Sequence, residues 1–354
     1  MMKIFKYLFL IILISLFASC SDNESSNVKN DFMKKTASPA IVGETIEFAY
    51  AMGTTSGRLN TAEAVASIPG AQGTGFGLYS YFTARSSISY NGVNYTGGAE
   101  VPVKTVKETN TNGATTTASM MEKVETHYMN PVVALGAGQS DLIAATLRYY
   151  YVVPEEARGK EVSLRFTAKS TEGESASYQT PAYKVSKMDM KRLIVMTNSN
   201  ACYFSIADMK AYTKAEVESQ NLSGKIDFVY MYQAQLNGFT YNHAFVSPGT
   251  DPKFVAIPAN IPSGWTKNNT LMEKRVDVRD AQLKGNIPNV YIDDIDFETL
   301  NLSAAVDYVL DCKAEEGAFM KTADGKYAAY IFINSLNTNN GGTMTVSIKR
   351  YPLK

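Results

Sequence analysis

A mainly β protein is the fold class this sequence predicts, with an N-terminal immunoglobulin-like β-sandwich followed by an α+β domain. Three observations lead there. The chain holds 22 tyrosines, and Thr, Ser, Val and Asn are frequent, a composition that suits strands and turns better than a helical bundle. Apolar residues alternate at period two, most cleanly at Val162, Leu164, Phe166 and Ala168. The 354 residues exceed what one hydrophobic core usually serves, so two domains are the default.

The N-terminus reads as a leader. Lys3 and Lys6 form a short positive region, and Tyr7–Phe17 (YLFLIILISLF) is an almost unbroken apolar run. The run is too short for a helix crossing a hydrocarbon core, which takes about 20 residues. It has the length and flanks of a signal-peptide core. Ala18 and Ser19 lead into Cys20, so Leu16-Phe17-Ala18-Ser19-Cys20 resembles a bacterial lipobox, with Phe17 where leucine is usual. The resemblance implies that residues 1–19 are a signal peptide and that Cys20 is the lipidation site. The bland alternative is a secretory peptide with an incidental cysteine. Two or three acyl chains would anchor the protein stably, at ~0.8 kcal/mol per buried methylene. Ser21 in place of aspartate implies the outer membrane. Ser21-Asp22-Asn23-Glu24 is similar to surface-export signals of Bacteroidetes lipoproteins, which implies exposure at the cell surface. Residues 20–38 are polar without a repeating apolar pattern and read as a flexible tether, with order beginning near Pro39.

Residues 39–187 are assigned to the sandwich. A strand opens at Gly43-Glu44-Thr45 with Ile46, Phe48 and Tyr50 on one face. Asn60-Thr61-Ala62-Glu63 has capping-box spacing and predicts a short helix. Leu78–Thr83 reads as a strand, and 91–138 as an insertion with a Thr/Asn/Gly-rich centre. Leu147–Val153 alternates again, placing Tyr149 and Tyr151 in the core and Tyr150 outside. After the turn at 154–159 comes the Val162–Ala168 strand, then a turn at 170–173 and a last strand near Tyr178–Val185.

Residues 188–354 are assigned to the α+β domain. Leu193–Met196 reads as a buried strand, Tyr203–Ile206 as another, and Ile226–Tyr232 (IDFVYMY) as a central one. Thr213-Lys214-Ala215-Glu216 is a second capping box opening a short helix. Asn269–Gly285 predicts a surface helix and Ser303–Leu310 another. Lys326–Asn334 and Thr343–Tyr351 predict a hairpin turning at 337–342.

Six segments carry a wider likeness: GETIEFAYAM (43–52), TLRYYYVVPEEARGKEVSLRFTAKSTEGE (146–174), YKVSKMDMK (183–191), KIDFVYMY (225–232), YIDDIDF (291–297) and DGKYAAYIFINS (324–335). Together they resemble the two-domain Bacteroidetes lipoproteins of unknown function with an N-terminal Ig-like module. The resemblance implies architecture and compartment and no activity. A looser similarity, to accessory glycan-binding lipoproteins of starch-uptake systems, is fold-level analogy.

The chemistry is sparse. Lys3 and Lys6 leave with the leader, so 32 basic side chains face 34 acidic ones, a net of −2 with no basic field for nucleic acid. The two histidines, His127 and His243, fall in different domains, and no HExxH or GxSxG motif occurs. The glycines between Gly70 and Gly77 lack the Lys-Ser/Thr of a phosphate loop and read as a connection. Asp293-Asp294-Ile295-Asp296-Phe297-Glu298 is the acidic cluster. As a strand it would put Asp294, Asp296 and Glu298 on one face, a weak calcium set or part of a glycosidase pair; otherwise they are solvated or helix-capping acids. Trp265, the single tryptophan, sits in a turn-like segment and is either a loop anchor or a platform for a sugar ring. Cys202 and Cys312 read as buried free thiols, with a disulfide permitted by export.

The expectation is a lipid-anchored envelope protein without cofactor or metal, binding a glycan or nutrient non-catalytically at the outer membrane. Adhesion to an envelope or host protein is the alternative, and a carboxylate-dependent glycan hydrolase the third reading.

Overall fold

The computed structural model describes residues 28–35, 37–54, 56–57, 59–76, 88–90, 93–95, 104–109, 115–116, 132–134, 144–236, 238–255, 261–338 and 341–354. The expected leader with Cys20, the expected strand at 78–83, His127 and most of the expected insertion lie outside them. Two compact units emerge. One takes its residues from the chain up to 35, from 45–152 and from 163–182; the other from 36–44, 153–162 and 183–354. The fold is mainly β, in antiparallel sheets with few and short helices.

The strands through residue 184 are β1 (Val28–Lys35), β2 (Thr45–Thr54), β3 (Leu59–Ala66), β4 (Gly75–Phe76), β5 (Ile88–Tyr90), β6 (Val93–Tyr95), β7 (Lys104–Thr109), β8 (Thr115–Thr116), β9 (Val132–Ala134), β10 (Ala144–Val152), β11 (Glu161–Val162), β12 (Leu164–Ser170), β13 (Ser175–Gln179) and β14 (Tyr183–Lys184). In the first unit one sheet runs β1-β2-β10-β4 and the other β13-β12-β3-β9-β7-β8. Alternation places Ile46, Phe48, Tyr50 and Met52 of β2 and Tyr149 and Tyr151 of β10 in the interior. From the other sheet Ala62, Ala64, Phe166 and Ala168 are buried. Phe166 ties the two together, stacked on Tyr50 at 4.8 Å and edge-on to Tyr149 at 5.6 Å. Tyr150 is half-exposed, as its parity requires.

Two expectations for this unit are corrected. Residues 28–35, assigned to the tether, form β1 and pair with β2 from Val28↔Thr54 to Lys35↔Phe48. Backbone pairing, which needs no apolar alternation, makes this strand, so the polar segment gave no sign of it. Asn60-Thr61-Ala62-Glu63 opens no helix; it lies inside β3. Long-range pairing with β12, from Leu164↔Ala66 to Ser170↔Leu59, buries Leu59, Ala62 and Ala64 and outweighs a local cap on a short helix.

The second unit adds β15 (Asp189–Thr197), β16 (Ala201–Ser205), β17 (Lys210–Thr213), α1 (Lys214–Ser219), β18 (Phe228–Leu236), β19 (Phe239–Val246), β20 (Leu271–Arg275), α2 (Asp294–Glu298), β21 (Tyr308–Val309), β22 (Gly317–Lys321), β23 (Tyr327–Asn337) and β24 (Thr343–Pro352). Its sheets run β15-β24-β23-β22-β20 and β17-β16-β18-β19-β21. Phe204, Phe228, Ala244 and Val246 share one core with Met320, Ala329, Ile331, Ile333, Met344, Val346 and Ile348. The opposite side of the first sheet carries a second core. There Phe319, Ala328, Tyr330, Phe332 and Tyr351 pack with Ile41, Met188, Leu283, Ile292, Phe297 and Leu302. Strand β23 is therefore buried on both faces, which is why YAAYIFIN reads as a continuous apolar run.

The Thr213 box forms as expected. Glu216 N donates to Thr213 Oγ1, and Thr213 N donates back to the Glu216 carboxylate. The strand expected at 226–232 is the middle one of its sheet, and the 326–351 hairpin is β23–β24. Three expectations fail. Asn269–Gly285 holds β20 and a single 3-10 turn at Ala281–Leu283, because Met272 is drawn into the core and β20 pairs with β22. Ser303–Leu310 holds β21, and Val306 bridges Met272. Leu193–Met196 is only half buried: Met196 is interior, while Leu193 and Val195 are 55% and 54% exposed. β15 is an edge strand with one face on the core, and its register with β24 shifts at Leu193, which has φ 58°. Among the described residues no helix is long and apolar enough to cross a membrane.

Candidate functional site

An open groove of about 530 Å³ lies in the second unit, lined by Lys187, Phe297, Glu298, Tyr351, Pro352, Leu353 and Lys354. Local chemistry positions each contributor. Asp293 caps α2, accepting from Ile295 N at 2.8 Å and Asp296 N at 3.4 Å, while the Asp296 carboxylate accepts from Asp293 N at 2.9 Å. This reciprocal box holds a single helical turn that turns Phe297 inward and leaves Glu298 exposed. Phe297 stacks on Tyr351, the end of β24, at 5.6 Å and 10°. Tyr351 Oη donates to Glu298 Oε1 at 2.8 Å. Burial, reinforced by that carboxylate, pushes the Tyr351 phenol up to about 12, so it stays a donor across the physiological range.

Lys187 is placed from the other side. Ser186 Oγ donates to the buried Asp294, Lys187 N donates to Asp294 Oδ2 at 3.3 Å, and Arg158 donates to the carbonyls of Lys187 and Met188 at 3.0 and 3.1 Å. Neither Lys187 nor Lys354 joins an ion pair among the described residues. The groove thus offers two ammonium groups, one carboxylate already accepting from a phenol, and a rim of Pro352 and Leu353 over the Phe297–Tyr351 stack. Such a set can hydrogen-bond a polar ligand and neutralise an acidic substituent.

The acidic cluster is corrected. It forms a helical turn, so Asp294, Asp296 and Glu298 do not share a strand face: Asp294 binds Ser186 and Lys187, Asp296 closes the capping box and Glu298 holds Tyr351. No group of three or more His, Cys, Asp or Glu among the described residues is placed to hold a metal ion, so the three form no calcium set. The helix-capping alternative accounts for Asp296. Trp265 is half-buried against the main core, its ring 5.0 Å from that of Tyr203, and anchors its loop away from the groove lining. His243 is buried, its Nδ1 2.8 Å from Tyr230 Oη, and burial pushes its imidazole down toward the neutral form. Cys202 and Cys312 are buried and unbridged, with thiols pushed up by burial to about 11 and about 12. Gly70 lies against Thr74 in a turn closed by Thr74 N to Ala71 O at 3.0 Å, feeding β4.

A fully buried ion pair among the described residues escaped the sequence reading. Lys349 and Asp280 are both fully buried, with Nζ 2.6 Å from Asp280 Oδ2, 2.9 Å from Gln282 Oε1 and 2.7 Å from Ile292 O. Asp280 also accepts from the backbone of Gln282, Leu283 and Ile292. The signal was present: Ser347 and Lys349 alternate with Val346 and Ile348 on a strand interior to its sheet.

These features define a class, a mainly β protein of two antiparallel-sheet units, the second carrying a small mixed-charge groove. Residues 25–185 match the DUF4466 family and residues 186–353 the DUF8576 family, each a domain of unknown function. The crystal structure of a DUF4466 family protein from Parabacteroides merdae is similar, with 36% identity, a TM-score of 0.73, and coverage of 93% of this chain and 99% of that one. The chain belongs to the DUF4466 family. No curated protein matches it. These matches lend no support to the looser likeness to glycan-binding lipoproteins.

Proposed function

We propose that the protein is a lipid-anchored component of the cell envelope that binds a polar ligand, a glycan or similar nutrient, without transforming it. The observation that carries the binding reading is the groove, where Lys187, Lys354, Glu298 and Tyr351 put donors and an acceptor beside an aromatic stack. Its lining holds one carboxylate side chain, Glu298, whereas glycoside hydrolysis uses a pair of Asp or Glu side chains flanking the bond. The anchoring reading rests on the leader and Cys20.

Calorimetric titration of the mature chain, with Cys20 replaced by serine, against neutral and uronic-acid oligosaccharides tests the binding. Saturable heat that disappears in Lys187→Ala and Glu298→Gln supports the reading. Silence across the panel, or heat unchanged in both variants, removes it. Adhesion to a protein partner remains the second reading, favoured by the exposed Leu193 and Val195 on edge strand β15.

A further inference from the structure

The two family matches meet at residues 185 and 186, yet the second compact unit includes residues 36–44 and 153–162. Contacts within that unit show what the earlier residues do. Ile41 is fully buried in the second core with Met188, Leu283 and Ile292. Ala40 bridges Val185 in parallel, and Ser186 N donates to Ala40 O at 2.8 Å. Gln282 Nε2 donates to Pro39 O at 3.1 Å. The guanidinium of Arg192 grips Glu44 with two bonds, 2.9 and 2.7 Å, while its Nε donates to Gln282 O. Behind this segment, Gly43 N and Val153 N exchange bonds with Val153 O and Glu44 O, both 2.9 Å, and Glu161–Val162 pair with Tyr183–Lys184.

We infer that residues 37–44 are a strap that completes the 186–353 domain in cis, filling an extended-peptide surface built from Met188, Arg192, Gln282, Leu283 and Ile292. The surface selects by chemistry: an apolar slot for Ile41, a guanidinium fork for Glu44 three residues on, and a side-chain amide for the Pro39 carbonyl. The strap also reaches the most buried charge of the unit. Gln282 binds Pro39 through Nε2 and Lys349 through Oε1, so removing the strap frees one end of the amide that orients the Lys349 ammonium. The folding boundary therefore differs from the boundary between the two family matches. A 186–353 domain in another chain needs a segment of this kind supplied to it.

Hydrogen exchange by mass spectrometry on the full mature chain tests this. In Ile41→Ala, peptides covering 280–292 and 345–351 are expected to exchange roughly thirtyfold faster or more, with peptides 45–54 and 164–170 unchanged. Arg192→Gln is expected to reproduce the pattern more weakly. Unchanged exchange at 280–292 overturns the strap, as does equal loss in all four regions, which marks general destabilisation. If Ile41→Ala does not fold, Ile41→Val is read by the same criterion.

Discussion

Asp227 is 5% exposed and accepts from Ile206 N at 2.7 Å and Thr270 Oγ1 at 3.4 Å. Burial outweighs those bonds and, with Asp324 and Asp208 nearby, raises its carboxyl to about 7. The unfolded chain holds such a proton with a pKa of ~3.9, so the folded state binds it more tightly between those values. The contribution is full below ~pH 4 and lost as pH rises through about 7. Asp227→Asn should therefore flatten the fall in melting temperature between pH 5 and 8 relative to the parent; an unaltered slope would refute this. Lys349 shifts the other way, since burial pushes its ammonium down while Asp280 partly offsets that shift. Lys349→Met leaves Asp280 buried without its cation, at an expected cost of ~3–5 kcal/mol in urea unfolding. Adding Asp280→Asn should recover part of that. A loss below ~1 kcal/mol would show the pair to be dispensable.

At the scale of elements, local chemistry and long-range pairing competed, and their balance decided what was legible. Thr213-Lys214-Ala215-Glu216 and Asn60-Thr61-Ala62-Glu63 share the capping spacing, yet one caps a helix and the other lies in a strand. The partner strands β12 and β9 distinguish them. The β23–β24 hairpin was readable because both flanks alternate or run apolar and the turn is rich in Asn and Gly. Gly342, in that turn, has φ +92°, and a Cβ there would come within 2.4 Å of Tyr232 Cγ. Gly342→Ala should cost more than ~1 kcal/mol in chemical denaturation, and a neutral result would mean that the turn relaxes freely. β1 makes a different prediction. Deleting residues 21–35 turns β2 into an edge strand. The shortened chain should melt at a lower temperature and aggregate during refolding, whereas an equal melting temperature would show that β1 contributes nothing.

For the whole molecule, the proposed anchor rests on the N-terminal sequence and Cys20, which lie outside the described residues. Cys20→Ser should move the protein from the membrane fraction to the aqueous fraction and abolish incorporation of labelled palmitate; labelling that persists would place the lipid elsewhere. Of the four polar residues lining the candidate site, one was visible beforehand. Glu298 was singled out, for a strand face that does not exist. Lys187, Tyr351 and Lys354 carried no pattern, because they come from a chain junction and a strand end more than 160 residues apart.

By itself the sequence determined the β-rich class, the alternating cores of β2, β10 and β12, and the hairpin near the C-terminus. All of these rest on local composition or on periods that one strand or run displays alone. The tertiary structure alone decided that residues 36–44 belong with residues 183–354, that Asp294 meets Ser186, and that Lys349 meets Asp280. Those outcomes depend on which distant segments meet and which faces become buried, and contacts across many tens of residues leave no local period to read.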